Sequence, residues 1–310
     1  MELANLWSRA RNDLGGMRKA TKGDAGAILR LLNSAVYTHL HVDWHLPGDW
    51  IGAPGFVVLP KPQPETSKNS LSAILFQDSP EMDACLAVAP DPLPAAWVRL
   101  VAIRDSLDVE QTLADLLAKA LPALRQQGVT QLAWLTVEEW PCPWLPQWGF
   151  YEGSAIETYV KEDDVLPPTS QVPGLLIREV RSTDYEALEA LEVAAFTPIW
   201  RQSARAMAIA RPQAFSFDVA QLDGEHVGYQ LSAVAEAGAH LVRLTVSPEK
   251  QGLGIGSALL RHAFANYHRR GLYSVSLNTQ VENLSSQKLY TKFGFKPTGQ
   301  RLPIWFLDIS

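Results

Sequence analysis

The apolar positions of this chain change period several times, and the changes occur in the same order twice. From Met17, MRKATKGDAGAILRLL reads as a short strand, a polar break with an acidic residue, and an amphipathic helix; from Ile177, IREVRSTDYEALEALE repeats that order. In the second copy Thr183 and Glu186 have capping-box spacing, and Leu188 and Leu191 begin an apolar helical face. Further on, WVRLVAI at Trp97 corresponds to LVRLTVS at Leu241, and a Leu-rich helix follows each. Those helices end at Gly128 and Gly271, and WGF at Trp148 echoes FGF at Phe293. Each half therefore predicts strand, helices, an antiparallel strand region, a central strand, helix, strand, helix and closing strands, a mixed α/β architecture built by duplication.

Between the halves KEDDVLPPTSQVPG passes from a charged cluster to a Pro-rich stretch, the composition of an extended connector. The expected organisation is an N-terminal extension over 1–16, a domain over 17–160, a linker over 161–174 and a second domain over 175–310. A second Pro-rich tract, PKPQPETSKNS from Pro60, predicts a surface loop.

The chemistry concentrates in the second half. His240 to Val246 reads as a buried strand, Pro248 ends it, and Gly252, Gly254 and Gly256 lead into a helix whose Leu259, Leu260, Ala263, Phe264 and Tyr267 share one face. A glycine-rich entry to a helix exposes unpaired backbone N–H groups at the positive end of the helix dipole, which is an anion site. Missing side chains let a diphosphate approach closely. The GK[ST] ending of a nucleotide-triphosphate loop is absent, and Ser257 breaks the GxGxxG spacing of dinucleotide folds. The pattern present is QxxGxG, Gln251 to Gly256.

VSPEKQGLGIGSALL followed by NLSSQKLYTKFGF resembles the GNAT superfamily of acyl-CoA N-acetyltransferases, whose signature is [QR]xxGx[GA] and whose next helix commonly reads NxxAxxLYxxxGF. Asn283, Ser286, Leu289, Tyr290, Gly294 and Phe295 occupy the second pattern, with Ser286 in place of the usual alanine. The resemblance is strong over 175–310 and reaches 17–160 through the repeat. It implies two tandem GNAT-like domains, each a mixed, mainly antiparallel sheet with a splayed central parallel strand pair flanked by helices. It further implies that acetyl-CoA is the co-substrate. The coenzyme diphosphate would sit on Gln251, Gly252, Leu253, Gly254, Ile255, Gly256 and Ser257, with Asn283 and Ser286 nearby, and the pantetheine arm would pair with Leu244, Thr245 and Val246. The N–H of Val246 would polarise the thioester carbonyl.

Acetyl transfer to a primary amine by direct attack needs a neutral nucleophile and a proton for the departing thiolate. The family position of the acid is matched by Tyr290. Some members carry a glutamate as base in the preceding strand, but the matching position here is Asn278. His240 is the alternative base: strict alternation would put residues 240, 242, 244 and 246 on one face, beside the reacting carbonyl. The resemblance assigns the acceptor wall to AFTPIWRQSARAMAIA, where Trp200 offers an aromatic wall and Arg201 a cationic anchor, and the turn RLPIW from Arg301 to Trp305 would complete the cleft. A non-catalytic acyl-CoA sensor or scaffold is the competing class.

The first half lacks this equipment. Aligned on VRL, it has RDSLDVEQT where the second half has its glycines, so Asp105, Asp108 and Glu110 would repel a diphosphate, and PCPWLP at Pro141 interrupts the last helix. It is expected to bind no coenzyme. Eight of the ten tryptophans lie there, which predicts heavy packing or a partner surface. His39, His41 and His45 with Asp43 match no common zinc spacing, so no metal is expected.

Composition adds boundaries to this picture. With 13 basic and 21 acidic residues, 1–174 carries a net charge of −8, whereas 175–310, with 14 and 12, carries +2. This balance gives no basic footprint for nucleic acid. No apolar run reaches the ~18 residues of a membrane span, and the charged opening MELANLWSRARNDL is unlike a secretion signal. Cys85 and Cys142 are too few for a disulfide framework. The expectation is a cytoplasmic enzyme with acetyl-CoA and an amine acceptor as partners, without nucleic acid or membrane contacts, and with a homodimer allowed.

Overall fold

The computed structural model describes residues 16–62, 81–168, 171–235 and 238–309. The N-terminal extension and most of the Pro-rich tract after Pro60 fall outside the described residues. The chain forms two compact units: one takes everything up to Gly153 together with Ile304 onward, and the other runs from Ser154 to Pro303.

The first unit contains β1 (Arg18–Lys19), α1 (Ala25–Ser34), β2 (Tyr37–Leu40), β3 (Gly55–Pro60), β4 (Met82–Pro90), β5 (Ala95–Ile103), α2 (Val109–Gln126) and β6 (Gln131–Leu135). Its sheet runs β1-β3-β4-β5-β6, and only β5 and β6 are parallel. The strand β7 (Tyr151–Lys161) then carries the chain into the second unit. That unit contains β8 (Leu175–Glu179), α3 (Tyr185–Ala195), α4 (Ala204–Ala210), β9 (Ser216–Leu222), β10 (Glu225–Ala235), β11 (Gly238–Val246), α5 (Ile255–His268), β12 (Val275–Gln280) and α6 (Leu284–Lys292). Its sheet runs β8-β9-β10-β11-β12, again with one parallel pair, β11 and β12. The last strand, β13 (Lys296–Asp308), ends the chain's regular structure.

Each unit takes a closing strand from the other half of the sequence. Ile156–Lys161 of β7 pairs antiparallel with β12 in the second unit, and Ile304–Asp308 of β13 pairs antiparallel with β6 in the first. Residues 154–160 and 304–309 are thus grouped differently from the sequence repeat, because apolar alternation says that a segment is a strand without saying which neighbour completes its ladder. RLPIW, expected as a turn, lies inside β13.

The cores form where helices cover these sheets. Leu113, Leu117, Leu121 and Leu124 of α2 pack with Trp134 and Trp148 on one face of the first sheet, while Ile28 and Leu31 of α1 pack with Phe56 on the other. The tryptophan-rich segment is therefore largely core, since Trp140 and Trp144 also pack against the α2 cluster. In the second unit Leu260, Phe264 and Tyr267 of α5 pack with Phe293 and Phe295. Each such buried side chain contributes about 1.5–3 kcal/mol. Among the described residues no helix is long and apolar enough to cross a membrane.

The entry to each unit repeats one ionic device. Arg18 makes two 2.7 Å bonds to Asp24, which also accepts from the Thr21 amide at 2.8 Å; Arg178 does the same to Asp184 at 2.8 and 2.9 Å, and Asp184 accepts from the Arg181 amide at 2.7 Å. Asp184, rather than the expected Thr183, ties down the start of its helix, because Thr183 already lies within the 3-10 turn Ser182–Asp184. Hydrogen bonds from Arg18 hold the Asp24 carboxyl at about 2. Its stabilisation is complete above the ordinary carboxylate range and disappears as pH falls from about 4 toward 2, because the unfolded chain binds the proton first. Melting temperature measured across this range should fall less steeply in Asp24→Asn than in the parent chain; equal slopes would show that the pair contributes nothing.

Candidate functional site

The central strand of the second unit carries an extra residue. Leu231 of β10 faces Arg243 and Ser232 faces Leu241, which leaves Val242 as a bulge. The parallel partner stops at the same place, since β12 pairs with β11 only at Ala239, His240 and Leu241. From Val242 to Val246 no strand among the described residues covers that edge, so its N–H and C=O groups have no ladder partner there. The opposite edge remains tightly held by β10. There Gly228 faces Val246, and a Cβ on it would lie 2.6 Å from the Thr245 carbonyl oxygen.

The open edge leads into a bare helix mouth. A 3-10 turn at Pro248–Lys250 follows β11, and Gln251 Nε2 donates to the Val246 carbonyl at 3.3 Å. Gly252 (φ +80°) and Gly254 (φ +90°) adopt a left-handed backbone that other residues enter only at a cost of roughly 1–2 kcal/mol. Gly254 is the N-cap of α5 and offers no side chain to its amides. A Cβ on Gly256 would lie 3.3 Å from Leu289 and 3.6 Å from Val246, so the helix entrance sits tightly against both the strand and α6. The first helical amides, from Ile255 through Ser257, have no partner in the helix ladder. With a positive dipole end and no covering side chain, this mouth suits an anion.

The bulge changes which side chains face together. Alternation resets at Val242, so His240 shares a face with Arg243 and Thr245, whereas Leu244 and Val246 point with Leu241 toward α5. His240 is therefore not on the Leu244 side, as uninterrupted alternation predicted. Its Nδ1 lies 2.8 Å from Ser276 Oγ on the parallel strand, and burial lowers its pKa below the ordinary histidine value. Tyr290 is buried, packs edge-on against Phe295, and bonds to the Ser286 hydroxyl one turn earlier; burial pushes its phenol up to about 12. Asn283 caps α6 by accepting from the Ser286 amide at 3.1 Å. Asn278 is exposed and accepts from Thr158 Oγ at 3.0 Å.

On the His240 face lies a charged cluster that sequence reading passed over. The fully buried Glu192 of α3 accepts from Tyr229 Oη (2.7 Å), Thr245 Oγ1 (2.8 Å), Arg243 Nε (3.1 Å) and the Gln202 amide (3.0 Å), and it is also bonded by the second guanidinium nitrogen of Arg243. Arg243 in turn donates to the Trp200 carbonyl at 2.7 Å and lies 3.7 Å over the Phe196 ring. The loop after α3, which holds Trp200, is thus fastened to the bulge. Arg201, expected as a cationic anchor, spends its guanidinium on the carbonyls of Phe196 and Val193 at the end of α3. The available signal was Glu192 itself, a carboxylate one turn after Leu188 on an apolar helical face, where the first half has Leu32.

Comparison with known proteins agrees with this geometry. The acetyltransferase (GNAT) family model matches residues 185–295. An uncharacterized N-acetyltransferase of Methanocaldococcus jannaschii is 31% identical over 137 residues, 43% of this chain and 85% of that protein. Among solved structures, a GCN5-related N-acetyltransferase from Sphaerobacter thermophilus is similar over 96% of both chains at 18% identity, with a TM-score of 0.57. A tandem GNAT protein from the clavulanic acid biosynthesis pathway covers 95% of this chain and 98% of its own at 14% identity, with a TM-score of 0.56. These two show the same two-unit fold along nearly the whole chain. With a mixed sheet in each unit, an open bulged strand beside a glycine-lined helix mouth, and a relative of this identity and coverage, the chain belongs to the GNAT family of acetyltransferases.

Proposed function

We propose that the second unit transfers an acetyl group from acetyl-CoA to a primary amine by direct attack. The observation that carries this reading is the continuity of the open β11 edge, Val242 to Val246, with the uncovered amides at the mouth of α5. The donor set fits the co-substrate. Amide groups along a strand edge match an amide-bearing arm, and a glycine-lined helix mouth matches a diphosphate. Acetyl-CoA supplies an acyl group activated on a thiol.

The chain's own residues divide the remaining work. Leu244 and Val246 present backbone donors and acceptors to the arm, while the Thr245 carbonyl is turned toward β10, and the N–H of Val246 would polarise a carbonyl laid along the edge. Gly252, Gly254 and Gly256 keep the mouth bare, and Asn283 and Ser286 order the start of α6 beside it. Tyr290 Oη keeps its proton throughout the working pH range, because burial raises its pKa, and so serves as the donor to the leaving thiolate. His240, held by Ser276 through Nδ1, keeps Nε2 as the atom that takes a proton from the acceptor side. The Trp200 segment, tied down by Arg243, forms one wall for the incoming amine.

Three measurements test these roles. Gly254→Ala forces a side chain into a left-handed position 3.4 Å from Val172 and should weaken acetyl-CoA binding about tenfold in calorimetry; unchanged affinity would remove the mouth from the site. Thiol release across an amine panel should be acceptor-dependent and should fall at least ~10-fold in Tyr290→Phe, while acetyl-CoA affinity stays within threefold. Acetyl-CoA binding without acceptor-dependent release would instead identify a sensor. For His240 the sign is fixed by its lowered pKa: turnover should fall with acid through a midpoint below the ordinary value of 6.5, and His240→Gln should abolish that limb. A midpoint above 6.5 would exclude His240 as the base.

A further inference from the structure

The first unit has the same bulged strand, but there the gap is filled. In β5, Leu100 faces Ala87 and Val98 faces Val88, so Arg99 is the extra residue, and the parallel pairing with β6 ends at Trp97. One edge of β5 is held by β4 as far as Ile103. Tyr37–Leu40 of β2 pairs antiparallel with Leu100–Ile103, and so it must lie along the other edge, in the space that β6 leaves. This is the counterpart of the β11 edge that stands open in the second unit.

We propose that β2 is a built-in occupant of the first unit's cleft, an internal peptide strand that takes the backbone groups an amide-bearing acyl carrier would otherwise use. Three further contacts hold it there. Trp140 Nε1 donates to the Thr38 carbonyl at 3.0 Å, from the PCPWLP region that replaces the last helix. His39 pairs with Glu138 at 2.9 Å, and the His41 amide donates to the Arg99 carbonyl at 2.9 Å. Just beyond, Asp43 accepts from Arg99 at 2.9 Å and so supplies the carboxylate that Glu192 gives Arg243 in the second unit. One inserted segment therefore fills the cleft and neutralises the bulge arginine.

The helix mouth is closed by the same logic. Asp108 is the N-cap of α2, and its carboxylate accepts from the Gln111 amide at 3.1 Å, whereas Gly254 leaves the corresponding amides of α5 bare. An anion approaching α2 meets a carboxylate already in place. Both halves of a coenzyme site, the strand edge and the anion mouth, are occupied by the chain itself. The inference that a carrier is excluded rests on the role proposed for the second unit; the closure of the β5 edge does not.

Hydrogen exchange on the full-length chain, read by mass spectrometry with and without acetyl-CoA, tests the proposal. Without ligand, amides in 37–40 and 100–103 should exchange at least about 100-fold more slowly than unstructured peptide. Adding acetyl-CoA should leave both segments unchanged, with calorimetry giving one molecule per chain. Coil-like exchange of 37–40 in the free chain would overturn the proposal, as would ligand-induced protection of 100–103 or a second molecule per chain. Protection appearing, or failing to appear, in 242–257 reports separately on the second unit, so failure of that assignment is distinguishable from failure of this one.

Discussion

A strand with one residue too many cannot keep both its neighbours. At Val242 the extra residue lets β11 stay paired with β10 while it parts from β12, and the role proposed for the second unit follows from that separation. The freed edge offers unpaired amides, the strand turns directly into the glycine-lined mouth of α5, and the reset alternation sends Arg243 and Thr245 to one face and Leu244 and Val246 to the other. A regular strand would have satisfied its hydrogen bonds internally and left nothing for a ligand.

The same separation creates a structural problem that the two units solve differently. Each bulge places an arginine in the interior, Arg99 or Arg243, and an isolated buried guanidinium would be costly. In the second unit Glu192 answers from α3, and the pair also fixes the Trp200 loop. In the first, Asp43 answers from the segment that follows β2, with Trp50 stacked against the guanidinium at 4.6 Å. Removing one partner of such a pair typically costs about 3–5 kcal/mol because the other charge remains buried. The carboxylate in the second unit thus comes from an element that leaves the cleft open, and in the first from the segment that closes it.

Much of this was legible in the sequence, for identifiable reasons. Glycines at 252 and 254 mark a backbone that only glycine enters readily, so the helix mouth could be located residue by residue, and the duplication gave the order of elements in the second half but not the missing last helix or the added strand β2 of the first. Properties set by partners were hidden. Alternation predicted His240 beside Leu244, but a bulge is a mismatch between two strands and leaves no mark on one. Pairing of 156–161 with β12 and of 304–308 with β6 depends on distant segments, as does the fit of Tyr37–Leu40 against β5. Glu192 and Arg243 look like ordinary surface charges until the fold buries them together, and Arg201 reads as a free cation until α3 ends beneath it.

The most direct test of the account is a crystal structure of the full chain grown with acetyl-CoA. One ligand per chain is expected, its arm running along Val242–Val246 and its diphosphate on the amides of 252–257. Ordered coenzyme bound anywhere else, with that edge and that helix mouth left bare, would contradict it.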